Sequence, residues 1–307
     1  MSWHILGAGS LGCLWAARLS QMQIPISIIL RNQQSLTALH MQGSQISYLA
    51  YGQSSPLDIA INAQLASHPQ PIEKLIVACK AYDAMAAVES VKTRLSSNSG
   101  VFLLQNGMGS QQAIAQLLPG IRVIAASSTE GAFLTQPFHC THAGQGTTLL
   151  GDLGHTQPEP TCLRDWQQAQ ISYQWTEAIL AALWRKLAIN CLINPLTVLY
   201  QCKNGQLAQH TERLTALAHE LAQLLSAAGY PCTAEDVFAQ CLQVIQNTAQ
   251  NTSSMLQDVL NQRRTEISYI TGFALAQSQQ LGTPHRALLD LHSQLQARLQ
   301  QLGLPLD

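Results

Sequence analysis

Charge is scarce in this chain. Only 11% of its 307 residues are Asp, Glu, Lys or Arg, the formal net charge is −1 and the pI is near 6.8. A surface this close to neutral gives no electrostatic footing for nucleic acid or for an anionic membrane. Paired cysteine motifs are missing too. None of the eight cysteines forms C-x-x-C, and several sit inside apolar runs, so they read as buried thiols of a reducing compartment. His139, Cys140 and His142 are the only local group of metal-ligand types. With no fourth partner at a fixed spacing they read as surface chemistry, and no metal is expected. No apolar run approaches the ~18 residues of a membrane span, and no basic-then-apolar leader precedes the first strand pattern. The expected location is the cytoplasm.

The stretch Leu183–Leu196, LWRKLAINCLINPL, carries an apolar face at Leu183, Leu187 and Cys191, with Trp184 and Leu192 offset by three. Set into it are Lys186, Asn190 and Asn194 at steps of four. Each step turns about 400° around a helix, so the three form one polar stripe roughly 12 Å long. Two amides and one ammonium are unusual for a solvated face and suit a small anionic, carbonyl-bearing molecule. The plainer alternative is a half-buried helix whose amides cap a neighbouring loop. Pro195 should kink the helix or end its regular hydrogen bonding.

The first half alternates apolar strands with helical segments, the pattern of a doubly wound parallel sheet. A strand at Trp3–Leu6 runs into Gly7, Ala8, Gly9, Ser10, Leu11 and Gly12, a G-x-G-x-x-G that opens a helix. Gly7 permits the tight turn, Gly9 lets the backbone approach a pyrophosphate, and Gly12 lets helix and strand pack closely. After the second strand an acidic residue would mark the ribose 2′-hydroxyl of NAD. Here that place holds Arg31, whose guanidinium suits a 2′-phosphate. An incidental surface arginine is the competing reading. The apolar run 75–79 ends in Lys80, and the strand 101–104 ends in Gln105, Asn106, Gly107, Met108 and Gly109. Ligands of such sheets sit beyond the carboxyl ends of the strands, so one crevice should collect the glycine loop, Arg31, Lys80 and Asn106. A polar strand pair is expected around 46–51. An antiparallel hairpin over 131–151 should close the first domain, with a helix at 162–169 and a last strand at 171–174.

Beyond residue 176 only helices are expected, giving an NADPH-binding domain over 1–176 and a helical substrate domain over 177–307. Helices are read from 177, over 211–228, over 233–249 and over 285–302. Ser254 with Gln257 reads as a capping box that starts a helix running to Gly272.

Together GAGSLG at 7–12, Lys80, QNGMG at 105–109, LWRKLAINCLINPLT at 183–197, NG at 204–205, NTSSMLQD at 251–258 and RRTEISYITG at 263–272 resemble the ketopantoate reductases. These are NADPH-dependent enzymes that reduce 2-dehydropantoate in pantothenate biosynthesis. The glycine loop is shared by many dehydrogenases, whereas the KLAINCLINPLT and SSMLQD blocks are restrictive. The resemblance implies a Rossmann-type domain followed by an all-helical one. It implies Lys186 as the catalytic lysine and Glu266 as an active-site carboxylate. Asn106, Asn190, Asn194, Asn251 and Ser254 would contact the substrate, and Arg31 and Lys80 the 2′-phosphate. It leaves two rivals: a reductase of another branched 2-oxo acid, and a non-catalytic NADPH-binding regulator. A monomer or homodimer is expected.

Overall fold

The computed structural model describes residues 2–154 and 157–306. Part of the polar stretch 154–160 therefore lies outside the described residues. The chain divides into two compact units, Met1–Gln105 with Ser110–Leu180, and Asn106–Gly109 with Ala181–Asp307.

Among the described residues, the first unit is an α/β fold built on twelve strands: β1 Trp3–Leu6, β2 Ile26–Leu30, β3 Gln45–Leu49, β4 Leu57–Ala60, β5 Asn62–Leu65, β6 Lys74–Val77, β7 Gly100–Leu103, β8 Arg122–Ser128, β9 Gly131–Gln136, β10 His139–Gly144, β11 Thr148–Asp152 and β12 Tyr173–Trp175. Its helices are α1 Ser10–Gln21, α2 Gln33–Met41, α3 Ala81–Val91, α4 Ser110–Leu117 and α5 Arg164–Gln168. Eight strands form the main sheet in the order β12-β11-β8-β7-β6-β1-β2-β5. Every pair in it is parallel except β8 with β11.

Burial on both faces explains the unbroken apolar runs of the central strands. In β6, Ile76 enters one core while Leu75 and Val77 enter the other; in β7, Phe102 opposes Val101 and Leu103 in the same way. Helix α1 lies between the main sheet and a second sheet, β4-β3-β10-β9, and buries Cys13, Leu14, Trp15, Ala16, Ala17 and Leu19. A helix covered on opposite sides needs apolar residues almost all round, which is what α1 has.

Several sequence expectations are corrected here. The antiparallel hairpin expected over 131–151 is β9–β10 and spans only 131–144. It joins β3 and β4, with β10 parallel to β3, and β11 then returns to the main sheet antiparallel to β8. The polar pair near 46–51 is β3 with β4, eight residues further on. Edge strand β5 escaped notice because its NAQL sequence buries only Gln64. Cys140 and His142 are not surface groups. Both are buried, and His142 Nε2 lies 2.7 Å from Glu130 Oε2, whose other oxygen accepts from Arg18 at 2.9 Å.

The second unit is helical: α6 Ile179–Tyr200, whose first two residues still count with the first unit, then α7 Thr211–Ala227, α8 Ala234–Asn247, α9 Ser254–Leu260, α10 Thr271–Leu281 and α11 Arg286–Gln301. Helix α6 continues past Pro195 to Tyr200 and does not end there. A proline inside a helix costs about 3 kcal/mol. Burying Leu187, Leu192 and Leu196 contributes roughly 1.5–3 kcal/mol each, so packing outweighs the lost bond. At 22 residues α6 is long and apolar enough to cross a membrane, which the sequence reading did not anticipate, and 61% of its apolar window is buried within the fold. The helix expected from Ser254 to Gly272 stops at Leu260, because Gln262 turns left-handed at φ +53°.

Candidate active site

The first unit presents its candidate residues at adjacent strand ends. In the order β6-β1-β2 these carry Lys80, the glycine loop and Arg31. Gly7 has φ +103°, and a Cβ there would stand 3.0 Å from Cys79 N; a Cβ on Gly12 would stand 2.1 Å from the Gly7 carbonyl oxygen. Neither place admits a side chain. Gly9 is the N-cap of α1 and makes no side-chain cap, and the first turn of α1 carries no acidic residue. A helix start of this kind directs N–H groups and partial positive charge outward, as a pyrophosphate requires. The loop therefore fits a dinucleotide.

Arg31 follows β2 directly. Its side chain is 82% exposed, with Nη1 3.9 Å from Asp83 Oδ2 in the first turn of α3. Lys80 is the N-cap of α3 and is half-buried. The turn leading to it is held by a residue the sequence reading passed over. Gln105 is buried, and its Nε2 donates to the carbonyls of Val77 at 2.9 Å and Cys79 at 3.1 Å. The clue was its place at the end of a buried strand, where a polar side chain needs backbone partners.

The second unit holds the stripe on α6. Lys186 and Asn190 are half-buried and Asn194 is 7% exposed. Burial pulls the Lys186 ammonium from its ordinary 10.5 down to about 8, and the Glu266 carboxylate pulls the other way. Glu266 is only 4% exposed and stands at the N-cap of a 3-10 turn over Ile267–Tyr269. It is not on the helix that begins at Ser254, as had been expected. The strand-end loop Asn106–Gly109 groups with this unit, and the Met108 N–H donates to the Tyr269 carbonyl at 2.9 Å. That bond brings the segment after Asn106 against the turn after Glu266. Asn106 groups with the second unit, whereas the glycine loop, Arg31 and Lys80 belong to the first.

Ser254 is not the helix cap either. Ser253 is, its Oγ accepting from the Leu256 N–H at 3.1 Å. Two adjacent serines made the register ambiguous from sequence. Ser254 and Asn251 are exposed. The Asn251 carbonyl accepts from Asn204 N–H at 3.0 Å, and the next residue, Gly205, packs so closely that a Cβ there would stand 2.8 Å from Ala249 Cβ. The NG at 204–205 thus acts by close approach, holding the segment that carries Asn251.

What this can do chemically is limited and specific. It offers a phosphate cradle beside two cations, and separately an ammonium of lowered basicity, with a buried carboxylate acting on it and amides along the same helix. No group of three or more metal-ligand side chains occurs among the described residues.

Similarity to known proteins points the same way. Residues 3–155 match the family ketopantoate reductase PanE/ApbA, and residues 178–299 match the C-terminal part of the same family. The chain is 33% identical to the 2-dehydropantoate 2-reductase of Yersinia pestis, covering 93% of this chain and 91% of that one. It is 33% identical to the 2-dehydropantoate 2-reductase of Vibrio cholerae over 91% of each. Among solved structures, a PanE/ApbA family ketopantoate reductase from Ralstonia eutropha superposes with a TM-score of 0.86 at 23% identity, over 99% of this chain and 100% of that one. D-mandelate dehydrogenase with NADH and anilino(oxo)acetate superposes at 0.91 with 19% identity, over 99% and 100%. The two structures speak for the fold. The family match across both units, with the relatives' identity along nearly the whole length, decides more: the chain belongs to the ketopantoate reductase family.

Proposed function

We propose that the chain reduces 2-dehydropantoate (ketopantoate) to pantoate with NADPH, a step of pantothenate biosynthesis. The observation that carries this reading is Lys186, half-buried on α6 with its pKa lowered to about 8 by burial and Glu266 acting on it, in line with Asn190 and Asn194. Residues 1–176 are assigned to the cofactor and 177–307 to the substrate, with Asn106 serving either.

NADPH supplies the hydride. The glycine loop, Gly7 to Gly12, holds the pyrophosphate on the α1 N-terminus, and Arg31 and Lys80 hold the 2′-phosphate. Lys186 donates a hydrogen bond to the ketone oxygen, stabilises the negative charge that develops on it and gives it a proton. A pKa of about 8 leaves most of the lysine protonated at pH 7 while making it a better acid than an ordinary lysine. Glu266 keeps that proton in place by raising the lysine's affinity for it. Asn190, Asn194, Asn251, Ser254 and Asn106 bind the carboxylate and hydroxyl of the substrate, which fixes the carbonyl against Lys186. The small net charge accords with a small-molecule substrate and with no nucleic-acid or anionic-membrane partner; the proposed setting is the cytoplasm, as a monomer or homodimer.

NADPH oxidation followed against ketopantoate and a panel of other branched 2-oxo acids tests the reading. Selective turnover of ketopantoate supports it. Preference for a different 2-oxo acid replaces the substrate, and no turnover with NADPH binding intact makes the chain a regulator.

A further inference from the structure

Two buried hydroxyls join the substrate-facing helix to the start of α9. Thr197 is fully buried and Ser253 is 5% exposed, and their oxygens are 2.6 Å apart. Thr197 Oγ1 also lies 2.7 Å from the carbonyl oxygen of Asn194, and Ser253 Oγ lies 3.1 Å from the Leu256 nitrogen. Each hydroxyl has one proton to give, and that settles the direction of the chain. A carbonyl only accepts, so the Thr197 proton goes to Asn194. The Ser253 proton must then go to Thr197, and Ser253 accepts from the Leu256 N–H. The result is a continuous run from the first turn of α9 to the backbone of Asn194.

The place where this run ends matters. Pro195 has no N–H, so the turn of α6 that presents Asn194 lacks one of its helical bonds. Thr197 supplies a side-chain bond to that same turn. At its other end, the run fixes Ser253, whose neighbour Ser254 is exposed at the first position of α9. Two residues assigned to the substrate, one on each helix, are thus set by one pair of hydroxyls.

We infer that Thr197 and Ser253 are positioning residues for ketopantoate: their paired hydroxyls hold Asn194 and Ser254 in register, so that both meet one substrate molecule. The inference rests on the reductase reading above. It gives buried hydroxyls a task that packing alone would not require, since a valine of the same shape would fill the Thr197 site.

Steady-state kinetics of Thr197→Val, Thr197→Ser, Ser253→Ala and the Thr197→Val/Ser253→Ala double variant, with the wild type in parallel, tests it. Thr197→Val is expected to raise the KM for ketopantoate about tenfold, equivalent to ~1.4 kcal/mol. Its kcat should stay within about threefold of wild type and its KM for NADPH should be unchanged. Thr197→Ser keeps the hydroxyl and should restore the substrate KM to within about twofold. Because the pair acts as one unit, the double variant should raise the KM no further than either single change. A ketopantoate KM unchanged in Thr197→Val overturns the inference, as does a parallel loss of kcat and of NADPH binding, the mark of general destabilisation. Should Thr197→Val not fold, Ser253→Ala with a wild-type KM overturns it equally. A wild type that turns over ketopantoate beside an unaffected Thr197→Val defeats only this inference; a wild type inert towards every 2-oxo acid defeats the reductase reading and this inference with it.

Discussion

Gly107 sits against Tyr269 with no room to spare: at φ +73°, a Cβ on Gly107 would stand 2.2 Å from the Tyr269 carbonyl oxygen. The neighbouring Met108 N–H donates to that same oxygen at 2.9 Å. The contact clamps the loop after Asn106 onto the turn that begins at Glu266. Gly107→Ala puts a methyl group into backbone and forces a left-handed conformation that alone costs about 1 kcal/mol. Urea unfolding should show a loss of about 2 kcal/mol or more, with a raised ketopantoate KM wherever folded enzyme persists. An Ala variant as stable as wild type would mean the loop and turn do not depend on this approach.

The proposed proton-donor role of Lys186 implies a pH limit: kcat/KM should fall as pH rises through about 8, approaching tenfold per unit beyond it. Glu266 raises this pKa; removing the carboxylate charge must therefore lower it. In Glu266→Gln the alkaline limb should move to lower pH. A limb that stays near 8, or moves up, would show that Glu266 does not act on Lys186. Lys186→Ala should lose kcat by a factor on the order of 10²–10⁴ while still binding NADPH.

Arg31 is proposed to hold the 2′-phosphate of NADPH. Its side chain is 82% exposed and 3.9 Å from Asp83, an ion pair too open to contribute much to stability. Arg31→Ala should raise the KM for NADPH while leaving NADH turnover and thermal stability nearly as they were. Equal losses with both cofactors would remove Arg31 from the 2′-phosphate site.

Cys191 lies on the helix that carries Lys186, fully buried, and burial pushes its thiol well above the usual range. Cys191→Ala should cost about 1–2 kcal/mol through the space left behind, with turnover retained. Orders of magnitude lost from a folded Cys191→Ala enzyme would contradict the assignment of the chemistry to the polar stripe.

How far the sequence reaches can be judged residue by residue. The glycine loop was legible because Gly7 and Gly12 answer local steric demands, as their close approaches bear out. The central strands were legible because both faces are buried, which leaves an apolar run that needs no partner to be recognised. Strand β5 was not, because an edge strand is defined by the neighbour it pairs with rather than by its own residues. The same holds for β10, whose parallel pairing with β3 joins segments about ninety residues apart.

At the candidate site the division runs along the same line. Residue type and helical spacing by themselves determined that Lys186, Asn190 and Asn194 share a stripe, because two steps of four residues on one helix obey a fixed angle. They also determined that Arg31 and Lys80 follow strands. Only the tertiary structure decided that α6 continues through Pro195, since that depends on how much apolar surface its neighbours cover. Only it decided that Ser253 rather than Ser254 caps α9, that Glu266 stands on a separate turn, and that Thr197 is the hydroxyl Ser253 meets. The Thr197–Ser253 bond joins segments 56 residues apart in the chain. Its free energy comes from burial and pairing that no local window of sequence contains.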